Sequence, residues 1–226
     1  MLDDLAESRK SLIRWGDADT CIAIGEGMFY QQADAILRKG LLRILEEYSS
    51  SADYMLAIPD HFATDHLFKL PANRWLLWAS TRRLLRQKLG KNVRYGDAFF
   101  FRNMVIGSDG ISSPDSVVLW QDMTSVVCVH SHSSDEIARL NLFPTQRTFH
   151  IPIPSTNAGA LLDATQAKVL DVIRENSLTN RDTAIVVSGG PMAKVLVFNL
   201  TQLGYRSFDV GYLFNPEPIK RKFGVA

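Results

Sequence analysis

The stretch that most limits how this chain can fold runs from Thr183 to Leu213, TAIVVSGGPMAKVLVFNLTQLGYRSFDVGYL. An apolar, β-branched run ends in Ser188-Gly189-Gly190, Pro191 falls where a first helical turn tolerates it, and a helical pattern continues to Gly204, a natural stop. SFDVG then supplies the next strand. A strand, a small-residue turn, a helix and a second strand make a parallel pair, because parallel neighbours need a crossover. Helix N-termini attract phosphate, and ligands of open α/β sheets collect at the carboxyl edge of the strands. Gly189 and Gly190 are therefore candidates for contacting a phosphate group. The turn is neither GxGxxG nor GxxxxGK(S/T), and tight packing explains its glycines equally well.

The same alternation runs through the rest of the chain. Strands are predicted at 11–15, 54–58, 98–102, 125–129, 148–151, 184–188 and 207–210, and helices at 33–48, 73–89, 134–140, 159–176 and 192–203. In the first helix Ile36, Leu37, Leu41, Leu42, Ile44 and Leu45 gather mostly on one side while Arg38, Lys39, Arg43, Glu46 and Glu47 supply the solvated face. The expected architecture is Rossmann-like α/β, a mostly parallel sheet with helices on both faces, in a single domain over 1–226. The soft spots at 49–53 and 107–116 read as turns or loops, too short to link separate domains.

Composition narrows the function. Lys plus Arg number 25 against 24 Asp plus Glu, so no global field favours nucleic acid or an anionic membrane. No apolar run approaches the ~20 residues that cross a bilayer, and MLDDLAESRK is acidic where a signal peptide is basic, so the expected location is cytoplasmic. Cys21 and Cys128 each sit in an apolar segment and read as buried free thiols.

Near the N-terminus RWGDADT sets Asp17 and Asp19 two residues apart. If the chain stays extended past Gly16, both carboxylates project the same way and suit Mg²⁺ or Mn²⁺, which prefer hard oxygen ligands and complete their shell with phosphate. In a helix the same spacing turns them ~200° apart. With 24 acidic residues such a pair also arises by chance, and a helix N-cap at Asp19 with a solvated Asp17 stays open.

Taken in order, SLIRWGDADTCIAIGEG, YMLAIPDHF, RYGDAFFFR, VVLWQDMTSVVCV, FHIPIPSTNAG and the C-terminal unit resemble the GT-D-type glycosyltransferases. This is a bacterial nucleotide-sugar-dependent family first catalogued as a domain of unknown function, and the likeness spans roughly 8–213. Its pattern R-x-G-D-G-E, in which an Asp-x-Glu pair holds a divalent cation against the donor diphosphate, falls on Arg14, Gly16, Asp17 and Asp19. Asp19 stands where the family has Glu, and Ala18 where it has Gly. The resemblance thus implies Mn²⁺ or Mg²⁺ on Asp17 and Asp19. The family's I-P-D corresponds to Ile58, Pro59 and Asp60. Its aromatic-Gly-x-Ala-Phe-x-x-Arg falls on Tyr95, Gly96, Ala98, Phe99 and Arg102, and P-x-x-N-A on Pro154, Asn157 and Ala158.

The resemblance implies transfer of a hexose from a nucleotide diphosphate sugar, with UDP as the expected nucleotide, to a glycan or glycoprotein acceptor. Arg14 and Arg102 would act as fixed cations on phosphate oxygens, a structural ion pair being the equal alternative for either, with Gly16, Asn157, Gly189 and Gly190 also lining the donor. Asp60 is the first candidate for acceptor-side general base and His61 the next; a helix cap is the structural alternative for Asp60. Two departures stand out. HSHSSDEIARLNLF replaces a glycine-rich element, keeping only Asn141, Leu142 and Phe143, and Asp209-Val210-Gly211-Tyr212 replaces D-I-G-H. His130 and His132 form an H-x-H that reads either as polar loop residues or as part of a second metal site. Trp75, Trp78 and Phe99 to Phe101 read as core or as a stacking surface for a ring. The shortened second carboxylate also admits a rival reading, a non-catalytic nucleotide- or sugar-binding module of a glycan assembly complex.

Overall fold

The computed structural model describes residues 2–59, 72–89, 93–99, 101 and 118–214. Asp60, His61, Arg102 and Phe100 lie outside the described residues, and Trp75 and Trp78 outside the described side chains. Helices α1 (Leu2–Ser8), α2 (Asp17–Ile24), α3 (Ala35–Glu46), α4 (Ala72–Lys88), α5 (Ser134–Arg139), α6 (Leu162–Glu175) and α7 (Pro191–Gln202) surround seven strands. These are β1 (Ser11–Arg14), β2 (Tyr54–Ile58), β3 (Gly96–Asp97), β4 (Ser125–His130), β5 (Arg147–Pro152), β6 (Thr183–Val187) and β7 (Arg206–Asp209). They form one sheet in the order β3-β2-β1-β7-β6-β4-β5, with each pairing parallel.

The parallel α/β architecture expected from the alternation is present. β6 is buried at all five positions, which is what a central strand covered on both faces requires. On one face Ile13, Val127, Val129, Ile185 and Val187 pack against α2, α3, α6 and α7. On the other, Leu12, Ala57, Cys128, Val186 and Phe208 pack against Leu5 of α1, Ile137 of α5 and the 119–123 segment. Both cysteines are buried and free, and burial pushes the Cys128 thiol up to about 12.

Three expectations need correction. The strand placed at 98–102 is the two-residue β3 instead, because the chain turns away at Ala98 and Phe99. The Asp97 carboxylate fixes that turn by accepting from Phe99 N at 2.8 Å. The other two are helices that the sequence reading left out. α1 is a short tie, held by Arg206, whose guanidinium donates to Leu5 O at 2.7 Å. α2 begins at Asp17, immediately after Gly16, and ends at Gly25, whose φ of 92° only glycine adopts cheaply. The chain therefore does not stay extended past Gly16.

Strand exits set the mouth of the molecule. After β1 and β6 the chain leaves towards the α2–α7 face, and after β4 and β7 it leaves towards the α5 face. Divergent exits from neighbouring parallel strands open a crevice at their carboxyl ends, where ligands of such sheets bind.

Candidate functional site

Four charged side chains from four elements meet at that rim. Arg14 ends β1, Asp19 lies in the first turn of α2, Asp209 ends β7, and Lys194 sits in the first turns of α7. Arg14 donates from Nε to Asp209 O at 2.8 Å, from Nη1 to Ala98 O at 3.2 Å and from Nη2 to Asp209 Oδ1 at 3.3 Å. Lys194 Nζ donates to Gly190 O at 3.1 Å and lies 3.1 Å from Asp209 Oδ2 and 3.7 Å from Asp19 Oδ1. Each oxygen of Asp209 thus faces a cation. Asp209 is fully buried; burial drives its pKa upward, but Arg14 and Lys194 outweigh that and hold it below the ordinary carboxylate value.

Asp19 is 2% exposed. Its Oδ2 accepts from Gly16 N at 2.7 Å, the reach-back half of a capping box, while Oδ1 is buried without a hydrogen bond. Burial raises its pKa to about 6, the nearby Asp209 adding to the rise and Lys194 opposing it. Asp17, the first residue of α2, is half-buried.

The helical start replaces the geometry under which both carboxylates point one way from an extended strand. Side chains of a first turn lean towards the helix N-terminus. Asp19 Oδ1, a hard oxygen with no hydrogen bond, fits a divalent ion. Among the described residues no group of three or more His, Cys, Asp or Glu converges on a common metal position.

The other predicted residues divide into ligand-side and structural positions. Gly190 caps α7 at φ 58°, ψ −140°, and a Cβ on Gly189 would come within 2.9 Å of Ile153 Cδ1 and of Met192 Cε. The Ser188–Pro191 turn needs glycine at 190 for its backbone, whereas at 189 a side chain would displace only the flexible ends of Ile153 and Met192, and the turn presents the start of α7 to the rim. Asn157 is spent on the fold: its N donates to Tyr30 O at 2.7 Å and its Oδ1 accepts from Gln32 N at 2.8 Å. Phe101 is buried beneath Arg14, whose guanidinium carbon lies 5.9 Å from the ring centroid.

The His130 and His132 rings stack at 4.5 Å, and His130 Nδ1 accepts from His132 N at 2.9 Å. That nitrogen is consumed internally. Burial, with His132 and His150 nearby, lowers the His130 pKa to about 3, whereas His132 lies 3.5 Å from Glu136. The sequence reading of the site missed Lys194, and it named Asp209 and Gly211 only as part of a departure from the D-I-G-H motif, without a place in the site. A lysine inside the otherwise buried run PMAKVLVFNL was the visible signal, since lysine is rarely buried without a partner.

A model of the family described as "Glycosyltransferase GT-D fold" matches residues 12–216. The protein named Probable glycosyl transferase Gly, from Streptococcus gordonii, is 29% identical over 218 residues, which cover 94% of this chain and 31% of that protein. Glycosyltransferase GlyD of Streptococcus pneumoniae serotype 4 is 24% identical over 94% of this chain and 26% of its own length. The chain thus spans about a third or less of these curated relatives. Among solved structures, one described as a new glycosyltransferase (DUF1792) from Streptococcus sanguinis superposes with a TM-score of 0.68 at 28% identity, over 99% of this chain and 82% of that one. A selenomethionine structure of domain of unknown function 1792 gives a TM-score of 0.73 at 21% identity, covering 99% of this chain and 79% of the other, a likeness of fold.

Proposed function

Because the chain belongs to the glycosyltransferase GT-D fold family, we propose that it transfers a hexose from a nucleotide diphosphate sugar, with UDP as the nucleotide, to a glycan or glycoprotein acceptor. The observation that carries this reading is the convergence of Arg14, Asp19, Lys194 and Asp209 at the carboxyl rim, between the starts of α2 and α7. Breaking a glycosidic bond to a diphosphate builds negative charge on the leaving group, and fixed cations and helix N-termini stabilise that charge. Mn²⁺ or Mg²⁺ held by Asp17 and Asp19 would neutralise the diphosphate. Arg14 is anchored on both sides of Asp209, so its charge is fixed before the donor arrives. Gly189 and Gly190 allow close approach of the donor to the backbone at the start of α7.

On the acceptor side, Asp60 is proposed as the general base, with His61 as its alternate. β2 pairs in register with β1, Ala57 beside Arg14, so Ile58 and Pro59 carry the chain out at the same rim. Among the described residues no helix is long and apolar enough to cross a membrane, and we place the reaction in the cytoplasm, where nucleotide sugars are made.

Calorimetry with UDP and Mn²⁺ tests the site. Binding is expected for the native chain and is expected to vanish when Asp17→Ala and Asp19→Ala are combined; unchanged affinity in the double variant would remove the metal-bridge reading. Slow release of free sugar from UDP-hexose separates a transferase from a module that only binds.

A further inference from the structure

Lys194 is only 7% exposed, on a helix whose neighbouring positions are buried apolar residues. A buried ammonium needs compensation, and Asp209 is shared: Arg14 Nη2 donates to its Oδ1, while its Oδ2 lies 3.1 Å from Lys194. The second carboxylate near Lys194 is that of Asp19, whose Oδ1 lies 3.7 Å away and accepts no hydrogen bond. The ammonium therefore occupies the approach to the oxygen best placed to take a metal ion.

We propose that Lys194 is a resident counter-cation that stops the carboxylates from holding a divalent ion alone, so that ion and donor diphosphate bind as a pair. The inference rests on the metal reading given above. With Lys194 present, Asp19 and Asp209 face Arg14 and Lys194 and the four charges cancel, so a divalent ion leaves the rim positive until a diphosphate arrives. Without the lysine, two carboxylates face one arginine, and the excess negative charge attracts a divalent ion unaided. The contact distances permit the exchange. Gly190 O and Asp209 Oδ2, each at 3.1 Å, keep Lys194 in place while its looser 3.7 Å contact with Asp19 gives way to the ion. Lys194 is thus a positioning residue, acting through Asp19 and not on the sugar.

Free Mn²⁺ gives a six-line electron paramagnetic resonance signal that bound ion loses, so affinity can be read without turnover. In the native chain UDP is expected to tighten Mn²⁺ binding on the order of tenfold or more, by reciprocal coupling. Lys194→Gln is expected to bind Mn²⁺ on the order of tenfold more tightly without UDP and to lose most of the gain from UDP. Lys194→Arg, which retains the charge, should behave as the native chain does. A gain of affinity is something a merely damaged fold does not produce, and Lys194→Met serves if circular dichroism shows the glutamine variant unfolded. Equal Mn²⁺ affinity in the native chain and the uncharged variant, or no effect of UDP on the native chain, overturns the proposal. Absence of Mn²⁺ binding in every variant, with or without UDP, overturns the metal reading itself and this inference with it.

Discussion

At the scale of the residue, the rim depends on atoms that leave no room for others. A Cβ built on Gly211 would lie 1.8 Å from Arg14 Nη2, and Gly211 itself has φ 52°. Gly211→Ala therefore combines a left-handed backbone with a collision against the guanidinium that grips Asp209. The expected cost is about 2 kcal/mol or more in urea denaturation, together with weaker UDP binding by calorimetry as Arg14 is pushed aside. A stable variant with native UDP affinity would show that Arg14 is not needed where the structure puts it. Asp19 illustrates the converse. Its identity as an acidic residue was legible, but its partners, Gly16 N and Lys194 Nζ, come from the turn before α2 and from α7.

At the scale of the element, the site is aimed by how closely α3 and α7 approach. A Cβ on Gly40 of α3 would sit 2.5 Å from Val195 Cγ1, next to Lys194 in sequence. Gly40→Ala gains about 1 kcal/mol of helix propensity. Overpacking a filled interface costs about 1–3 kcal/mol, so a net loss of stability is expected. Val195→Ala should relieve the clash, and the double variant should be more stable than the sum of the single effects allows. Additive losses in thermal denaturation would mean the two helices do not meet closely there. Periodicity located α3, and Leu37, Leu41, Ile44 and Leu45 of its expected apolar face are buried, whereas Leu42 is half-buried and Ile36 in the first turn is exposed. It missed α2, whose eight residues DADTCIAI carry an almost continuous apolar tail in place of a stripe.

At the scale of the whole molecule, buried titratable groups oppose one another. His130 has a folded pKa of about 3 against an ordinary 6.5, because burial and its histidine neighbours disfavour the charged ring. Its contribution is present above pH 6.5 and is lost as pH falls towards 3. Asp19 has a folded pKa of about 6 against 3.8, raised chiefly by burial, so its contribution is present below pH 3.8 and is lost as pH rises through 6. Between about pH 4 and 6 the two slopes have opposite signs, each up to about 1.4 kcal/mol per pH unit. In chelator-treated protein His130→Phe should make stability fall as pH rises across this window, and Asp19→Asn should make it rise. Chemical denaturation at a series of pH values reads both, and parallel curves for the two variants would refute the assignment. Asp209, with a lowered pKa, contributes stability above the ordinary carboxylate range and loses it only in stronger acid, outside this window.

Local sequence determined the elements whose pattern is self-contained. The β6-turn-α7-β7 unit was readable because its apolar run, paired glycines, helix-compatible proline and terminal glycine act within a few residues of one another. The carboxylates of RWGDADT were readable as chemistry, and their order with the other motifs as family. What only the tertiary structure decided is where charges meet. Arg14 and Asp209 stand 195 positions apart in the chain, yet they touch because β1 and β7 are neighbours in a sheet whose order differs from chain order. Coulomb interactions act through space and periodicity acts along the chain, so the partners of Asp19 appeared only once the strands were laid side by side.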